Sequence, residues 1–158
     1  MSESVFSQPL VTLALQGTGS FFPQSFKRFA FAEGDVIALP PKSSDNPSFS
    51  VVRCLKVEEV ALKQGERIHI AGKDFVLPED DSLLVCGVAL GGDHFRTSDE
   101  AKGVANRAAW HPIVGHTPMR PDFANGGTWL NNFAVQPDEL VGYETWRKAF
   151  NEGKAGIY

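Results

Sequence analysis

The sequence predicts a single, mainly β domain with minor α content: a barrel or sandwich with two helices packed on it. Apolar residues alternate with polar ones in short stretches, the period that places side chains on one face of a sheet. Turn residues separate these stretches every ten residues or so, and helical periodicity begins only near residue 97. A chain of 158 residues is expected to form one domain, β-rich over 9–90 and helix-containing over 97–153.

The predicted strands all lie in the first 90 residues, at 9–16, 36–39, 49–60, 67–70, 75–77 and 83–90. A glycine-containing turn at 71–74 is typical of a hairpin. The nearly continuous apolar stretch at 83–90 favours a strand buried on both faces. The five phenylalanines of residues 21–31 are expected to fill the core, because aromatic side chains bury large areas.

Two helices are predicted in the second half. Thr97 and Glu100 have capping-box spacing and begin a helix that runs to Trp110, before Pro112 stops it. Residues 111–136, with their prolines and paired glycines, are expected to be irregular. The second helix begins near Pro137, because proline is favoured at the first helical position, and ends by residue 153.

The charge and the hydropathy pattern argue against nucleic acid and membrane partners. The net charge is −4, and no cluster of Lys and Arg offers a phosphate-binding surface. No apolar run reaches the roughly 20 residues that span a bilayer. Residues 1–4 lack the basic start of an export signal, so a cytoplasmic location is expected. In that reducing compartment Cys54 and Cys86, both in apolar strands, are expected to be buried free thiols.

Four polar residues near the end of the last predicted strand could converge on a ligand: Asp93, His94, His111 and His116. A catalytic zinc site uses three such ligands and leaves one position open for water. Their spacings match no metal motif, so no metal or cofactor is expected. Gly91-Gly92, read as a turn before the helix at Thr97, could instead receive an anion with the help of Arg96, although the residues match no phosphate-binding pattern.

A third arrangement follows the order seen in Ser–Lys peptidases. Ser20-Phe21-Phe22-Pro23 is similar to the Ser-Met-x-Pro motif of bacterial signal peptidases. Val52-Arg53 stands where that family, and the self-cleaving repressors, have Lys-Arg. Gly92-Asp93, followed by Ser98 and Asp99, resembles their Gly-Asp-Asn box. The resemblance implies a Ser20 nucleophile and a neutral lysine base.

The lysine that this resemblance requires is absent. Val52 occupies its position, and the nearest substitute, Lys56, lies about 13 Å further along the strand. The sequence also has no membrane anchor, which excludes a signal peptidase proper. A hydrolase that uses Ser20, or a metal held by His94, His111 and His116, therefore stays the alternative to the leading hypothesis.

The leading hypothesis is a non-enzymatic structural or assembly subunit of a larger complex, such as a phage head, neck, tail or decoration protein. Three Trp and twelve Phe exceed the needs of a modest core, and aromatic residues are enriched at interfaces. Protein partners, in a homo- or hetero-oligomer, are expected to contact residues 112–137, a long segment for a loop. The predicted interface residues in it are Phe123, Trp129, Leu130 and Phe133. Deleting residues 121–128 is expected to leave a folded monomer.

A second non-enzymatic hypothesis is an inhibitor that inserts acidic side chains into a partner's active site. An acidic cluster such as Glu79, Asp80 and Asp81 could fill this role. A solvated turn between two strands explains the same three residues.

Overall fold

The computed structural model describes residues 31–42, 45 and 47–158, apart from the side chains of Asp93 and His94. The predicted strand at 9–16, the phenylalanines before Phe31, and Ser20 lie outside the described residues. Phe31 itself is buried, as expected.

The described chain is mainly β, which confirms the predicted class. Five strands form one antiparallel sheet in the order β6-β5-β2-β1-β7, and β3 and β4 form a separate hairpin. These described strands do not close into a barrel. The strands are Asp35–Leu39 (β1), Phe49–Leu62 (β2), Arg67–Ile70 (β3), Lys73–Val76 (β4), Asp81–Phe95 (β5), Val114–Met119 (β6) and Thr128–Asn132 (β7).

The hairpin turn is shorter than the sequence predicts. It consists of Ala71 and Gly72, whose positive φ angles of 53° and 81° are those of a type I′ two-residue turn. Lys73 and Asp74, expected in the turn, instead pair with Ile70 and His69.

Both predicted helices are present, but the first is much shorter than expected. It spans Ser98–Ala101 (α1) and continues only as a 3-10 turn at Lys102–Val104. The backbone leaves the helical region at Ala105, with φ −88° and ψ 45°. Asn106 then binds both sides of the break: its amide nitrogen donates to Gly103 O at 3.3 Å, and its amide oxygen accepts from Ala109 N at 3.1 Å.

The caps of the helices follow the sequence closely. Thr97 Oγ1 accepts from Glu100 N at 3.2 Å, while the Glu100 carboxylate reaches Arg96 N instead of Thr97 N. The second helix begins with a 3-10 turn at Pro137–Leu140 and continues as Val141–Asn151 (α2). None of the helices in the described part of the chain combines the length and apolar character needed to cross a bilayer.

The expectation that residues 111–136 are irregular was wrong. This segment supplies β6 and β7, the two edge strands of the sheet. Both are short and contain residues that strands disfavour, such as Gly115, Pro118 and Asn131. The carbonyl of Pro118 accepts from Tyr158 N at 3.0 Å, so the Pro118 backbone faces away from β5, where a missing N–H breaks no ladder bond.

Residues 156–158 join the hairpin to the edge of the sheet. Ile157 N donates to His69 O at 2.9 Å, and Ala71 N donates to Ile157 O at 2.8 Å. The neighbouring Tyr158 pairs with β6 through Pro118, and its carbonyl accepts from Arg120 N at 3.3 Å. Two adjacent residues thus hold together β3 and β6, which are far apart in sequence.

A bulge in β2 changes which residues face the helices. The pairing with β5 shifts between Cys54 and Lys56, so the alternation of side chains shifts by one position there. As a result, Arg53 before the bulge and Glu58 after it both reach the segment around α2, at Glu139 and Tyr143. Without the bulge, one of the two would point to the opposite face.

The sheet has one face covered by the helices and one covered by shorter segments. Adjacent residues of β5 point to opposite faces, so Val85 and Ala89 pack toward the helical side while Cys86 and Val88 pack toward the other. The buried cluster on the face away from the helices contains Phe31, Ile37, Val52, Cys54, Cys86, Val88 and Ala124. Both cysteines are buried and free, as predicted.

Two glycines allow α2 to lie close to the sheet. A Cβ on Gly87 in β5 would lie 2.8 Å from Tyr143 Cδ1 and 3.0 Å from His116 Nε2. A Cβ on Gly142 would lie 2.6 Å from His116 Cβ. Because interiors are close-packed, a methyl group at either position must push α2 or β6 outward.

The substitution Gly87→Ala is therefore expected to destabilise the protein by about 1–3 kcal/mol, the range for overpacked cores. Urea denaturation followed by tryptophan fluorescence measures this change. Gly103→Ala is the matched control, because a Cβ there meets nothing within 4 Å and the helical backbone accepts alanine. Equal stability of the two variants would contradict the close approach of α2.

Candidate functional site

Of the four predicted interface residues, Phe133 lies against a buried ion pair. The guanidinium of Arg53 stacks 3.7 Å from the centre of its ring, and that of Arg107 lies 4.9 Å away. Cations over an aromatic face are attracted by the negative charge of the ring face. The ring therefore stabilises charges within the chain.

Arg53 is fully buried, and each of its nitrogens has a partner. Nε donates to Glu139 Oε1 at 2.8 Å and Nη1 to Gly34 O at 2.9 Å. Nη2 donates to Ala134 O and Glu139 Oε2, both at 3.1 Å. Residues that Arg53 binds thus come from the turn before β1, the chain after β7 and the start of the second helix. We call this arrangement the Arg53 clamp.

The electrostatics of the clamp favour the ionised carboxylate of Glu139. Burial pushes its pKa upward, but the hydrogen bonds from Arg53 and Gln136 N, with the charges of Arg53 and Arg107, bring the pKa below its ordinary value. Glu139 therefore stays charged under mildly acidic conditions.

Trp129 and Leu130 also make internal contacts. The Trp129 indole donates to the buried carboxylate of Asp35 at 3.0 Å, which ties β7 to β1. Asp35 also accepts from Asn132 Nδ2 at 2.8 Å and Ala32 N at 2.6 Å. Leu130 is 8% exposed and packs in the core under the first helix.

Phe123, also predicted at the interface, reaches an open surface on the other face of the sheet. Its ring packs edge-on against Phe31, with centroids 5.1 Å apart. Its other side lines a cleft of about 320 Å³ that is mostly apolar. The apolar lining of this first cleft includes Leu39, Pro40, Val52, Leu90, Ile113 and Met119.

The most exposed large apolar side chain in the described residues stands at this cleft. Ile113 is 72% exposed, and its neighbour Val114 is 40% exposed. Both belong to residues 111–115, a run that is exposed throughout and holds no Asp, Glu, Lys or Arg. We call this run the edge loop. The sequence indicates its composition, but only the fold reveals its exposure.

The edge loop also borders a second cleft, on the helical face. This cleft, of about 360 Å³, has Leu55 and Ala89 among its lining residues. Arg107, Trp110, Phe133 and Glu139 line it as well, together with Pro112 and Gly115 of the edge loop. The loop therefore stands between two concave surfaces at the edge of the sheet.

The predicted histidine cluster lies only partly within the described residues. His111 is exposed in the edge loop, and the side chain of His94 lies outside the described residues. His116 packs against Tyr143 and Trp146 of α2, and burial lowers its pKa to about 4. Among the described residues, no three His, Cys, Asp or Glu side chains are grouped to hold a metal ion.

The residues of the anion and peptidase hypotheses are placed as follows. Gly91 and Gly92 lie inside β5, not in a turn, which corrects the predicted anion loop. Arg53, at the expected lysine-arginine pair, is held by Glu139, and Ser20 lies outside the described residues. Burial raises the pKa of the Cys86 thiol to about 12, so it is not a thiolate near neutral pH.

The acidic cluster of the inhibitor hypothesis lies between β4 and β5. Asp80 accepts from Gln64 N at 2.8 Å, and Asp81 accepts from Ser82 N at 2.8 Å. Glu79 and Asp80 are exposed, as a solvated turn requires.

Comparisons with protein-family models, with curated proteins and with solved structures give no match to this chain.

The substitution Glu139→Gln is expected to destabilise the protein by about 3 kcal/mol, because it leaves the buried Arg53 without its countercharge. Chemical denaturation at pH 7 measures the loss. Asp138→Asn is the matched control, since Asp138 is the exposed neighbour in the same turn.

Wild type and Glu139→Gln, compared over a range of pH, test the acid dependence of the clamp. Because the pKa of Glu139 is lowered on folding, its contribution is complete above its ordinary pKa of 4.5 and is lost as the pH falls below that value. The stability gap between wild type and Glu139→Gln should narrow between pH 5 and pH 3. A constant gap would show that the carboxylate charge does not stabilise the clamp.

Proposed function

We propose that the protein is a non-enzymatic assembly subunit that binds a second copy of itself through the edge loop. The observation that carries this proposal is the position of Ile113. It is 72% exposed beside an apolar cleft, immediately before an edge strand. Large exposed apolar groups with apolar surroundings are typical of protein contact surfaces.

The backbone at this edge favours strand pairing. Pro118 faces away from β5, and backbone direction alternates along a strand. The pairing of β6 with β5 shifts in register between Thr117 and Val114, so the alternation seen at Pro118 does not extend to Val114. Between these two residues β6 has no further strand beside it in the described sheet, and the N–H and C=O groups that point outward there are open to a partner. Such groups readily pair with another strand, and edge strands commonly mediate association.

The charge distribution favours a second copy at this position. Two copies with a net charge of −4 repel each other over most of their surface. The edge loop, without acidic or basic residues, is a place where two copies approach without placing like charges together. Around a twofold axis β6 would pair antiparallel with β6 of the other copy, and the same patch would serve both subunits.

Part of the contact segment expected from the sequence is retained in this proposal. Ile113, Met119 and Phe123 surround the first cleft and belong to residues 112–137. Trp129 and Leu130 make contacts within the chain, and Phe133 lines the second cleft. A role in a larger particle, such as a phage virion, is the form of assembly that the sequence analysis favours. The hydrolase hypotheses gain no support from a described contact.

The substitution Ile113→Asp is expected to convert the oligomer to a monomer, because it places a carboxylate in an apolar contact. Across a twofold axis, that carboxylate would also face the same carboxylate of the other copy. Native mass spectrometry and light scattering measure the mass of the purified chain. Val76→Asp is the matched control: Val76 is also apolar and is 55% exposed, but it lies on β4.

A wild-type protein that is monomeric at tens of micromolar would overturn this proposal, as would an oligomer that Ile113→Asp and Val76→Asp affect equally. Deletion of residues 121–128 does not test the contact as cleanly as a point substitution does. Pro121, Ala124 and Gly127 are buried in that stretch, so the deletion removes core and is not expected to leave a folded monomer.

A further inference from the structure

The imidazole of His116 is enclosed by β5 and α2. Its Nε2 is buried and has no hydrogen-bond partner among the described residues. The ring lies 5.6 Å from the Tyr143 ring and 6.1 Å from the Trp146 ring, measured between centroids. Gly87 and Gly142 are so close that neither accepts a Cβ without displacement of its neighbours.

A neutral imidazole tolerates this position, whereas a protonated one does not. Both ring nitrogens of a charged histidine are donors, and a buried charge without a partner is strongly unfavourable. Nε2 is buried beside Gly87 and the Tyr143 ring, so a proton on this nitrogen can be hydrated only when α2 moves away from the sheet.

The carboxylate of Glu58, on β2, is engaged by side chains of α2. On β2, Glu58 Oε1 already accepts from the Tyr143 hydroxyl and, at 3.2 Å, from Arg147 Nε. Lys56 lies opposite Gly87 in the strand register and adds a positive charge. Tyr143 and Arg147 are the titratable groups that α2 brings to this region, and each binds Glu58.

We propose that His116 is an acid-sensitive latch for α2. With a neutral imidazole, α2 stays packed on β5 and β6. When the imidazole takes up a proton, α2 separates from the sheet and gives the ring access to water. The start of the second helix remains attached, because the Arg53 clamp holds Glu139 to β2. The latch operates whether or not the edge loop binds a second copy.

The pH range of the latch follows from the two states of His116. Its ordinary pKa is 6.5, and burial lowers the pKa to about 4 in the packed state. A lowered pKa means that packing is fully favourable above pH 6.5 and weakens as the pH falls toward 4. One proton taken up on opening changes the open-to-packed ratio by up to about tenfold per pH unit. From pH 7 to pH 4.5 the ratio should rise roughly 50-fold.

Hydrogen exchange of the full chain tests this inference. Exchange rates of α2 amides, corrected for the intrinsic effect of pH, should rise roughly 50-fold relative to pH 7 when measured at pH 4.5. Amides that pair β1 with β2 are the internal control and should remain protected. Unchanged α2 protection at pH 4.5 overturns the proposal, and so does an equal rise in the β1 and β2 amides, which indicates global unfolding.

Three variants assign the effect to His116. His116→Phe keeps a ring in the same space and should remove the pH dependence of α2 exchange, while His111→Gln, in the exposed edge loop, should leave it intact. Glu58→Gln removes the neighbouring carboxylate and should also leave it intact; loss of the dependence there would assign the latch to Glu58 and overturn the role of His116.

A measurement on the wild type covers the case in which His116→Phe does not fold. The ring protons of His116, followed by NMR from pH 7.5 to 4, should shift in parallel with the loss of α2 protection. A His116 that titrates near pH 6.5 while α2 stays protected contradicts the latch.

Discussion

The burial of Arg53 is the constraint on which the rest of the structure depends. A guanidinium inside the protein needs a countercharge and several acceptors, and those acceptors lie in three different parts of the chain: Gly34, Ala134 and Glu139. Satisfying Arg53 therefore fixes the chain before β1, the chain after β7 and the beginning of the second helix around one strand. The helical side of the sheet is organised by this single side chain.

The local elements could be predicted where the sequence carries the whole signal. Alternation is sufficient to locate β2 and the hairpin, and the helix starts after Thr97 and at Pro137 are determined by neighbouring residues. β6 and β7 could not be predicted in this way, because Gly115, Pro118 and Asn131 are poor strand residues. They are strands because β5 and β1 offer unpaired edges to them. Pairing with a distant strand overrides local propensity.

Contacts at the surface are harder to predict than strands, for a related reason. Aromatic content identifies side chains that need contacts but does not say whether those contacts are inside the chain. The Trp129 indole donates to Asp35, and the Phe133 ring stacks on Arg53; both partners are distant in sequence. Ile113 carries no special signal, since isoleucine is more often buried. Its exposure results from its position just before an edge strand.

The pairing made by Ile157 and Tyr158 has a consequence for how the protein folds on the ribosome. These residues are synthesised after all of the described strands and helices, yet they hold β3 to β6. Contacts between segments so far apart close late and slow the final step of folding. The nascent chain can form the β2–β5 ribbon early, but the hairpin has no attachment to the sheet edge until residue 158 leaves the exit tunnel. Folding of this region is therefore expected to finish only after translation of these residues.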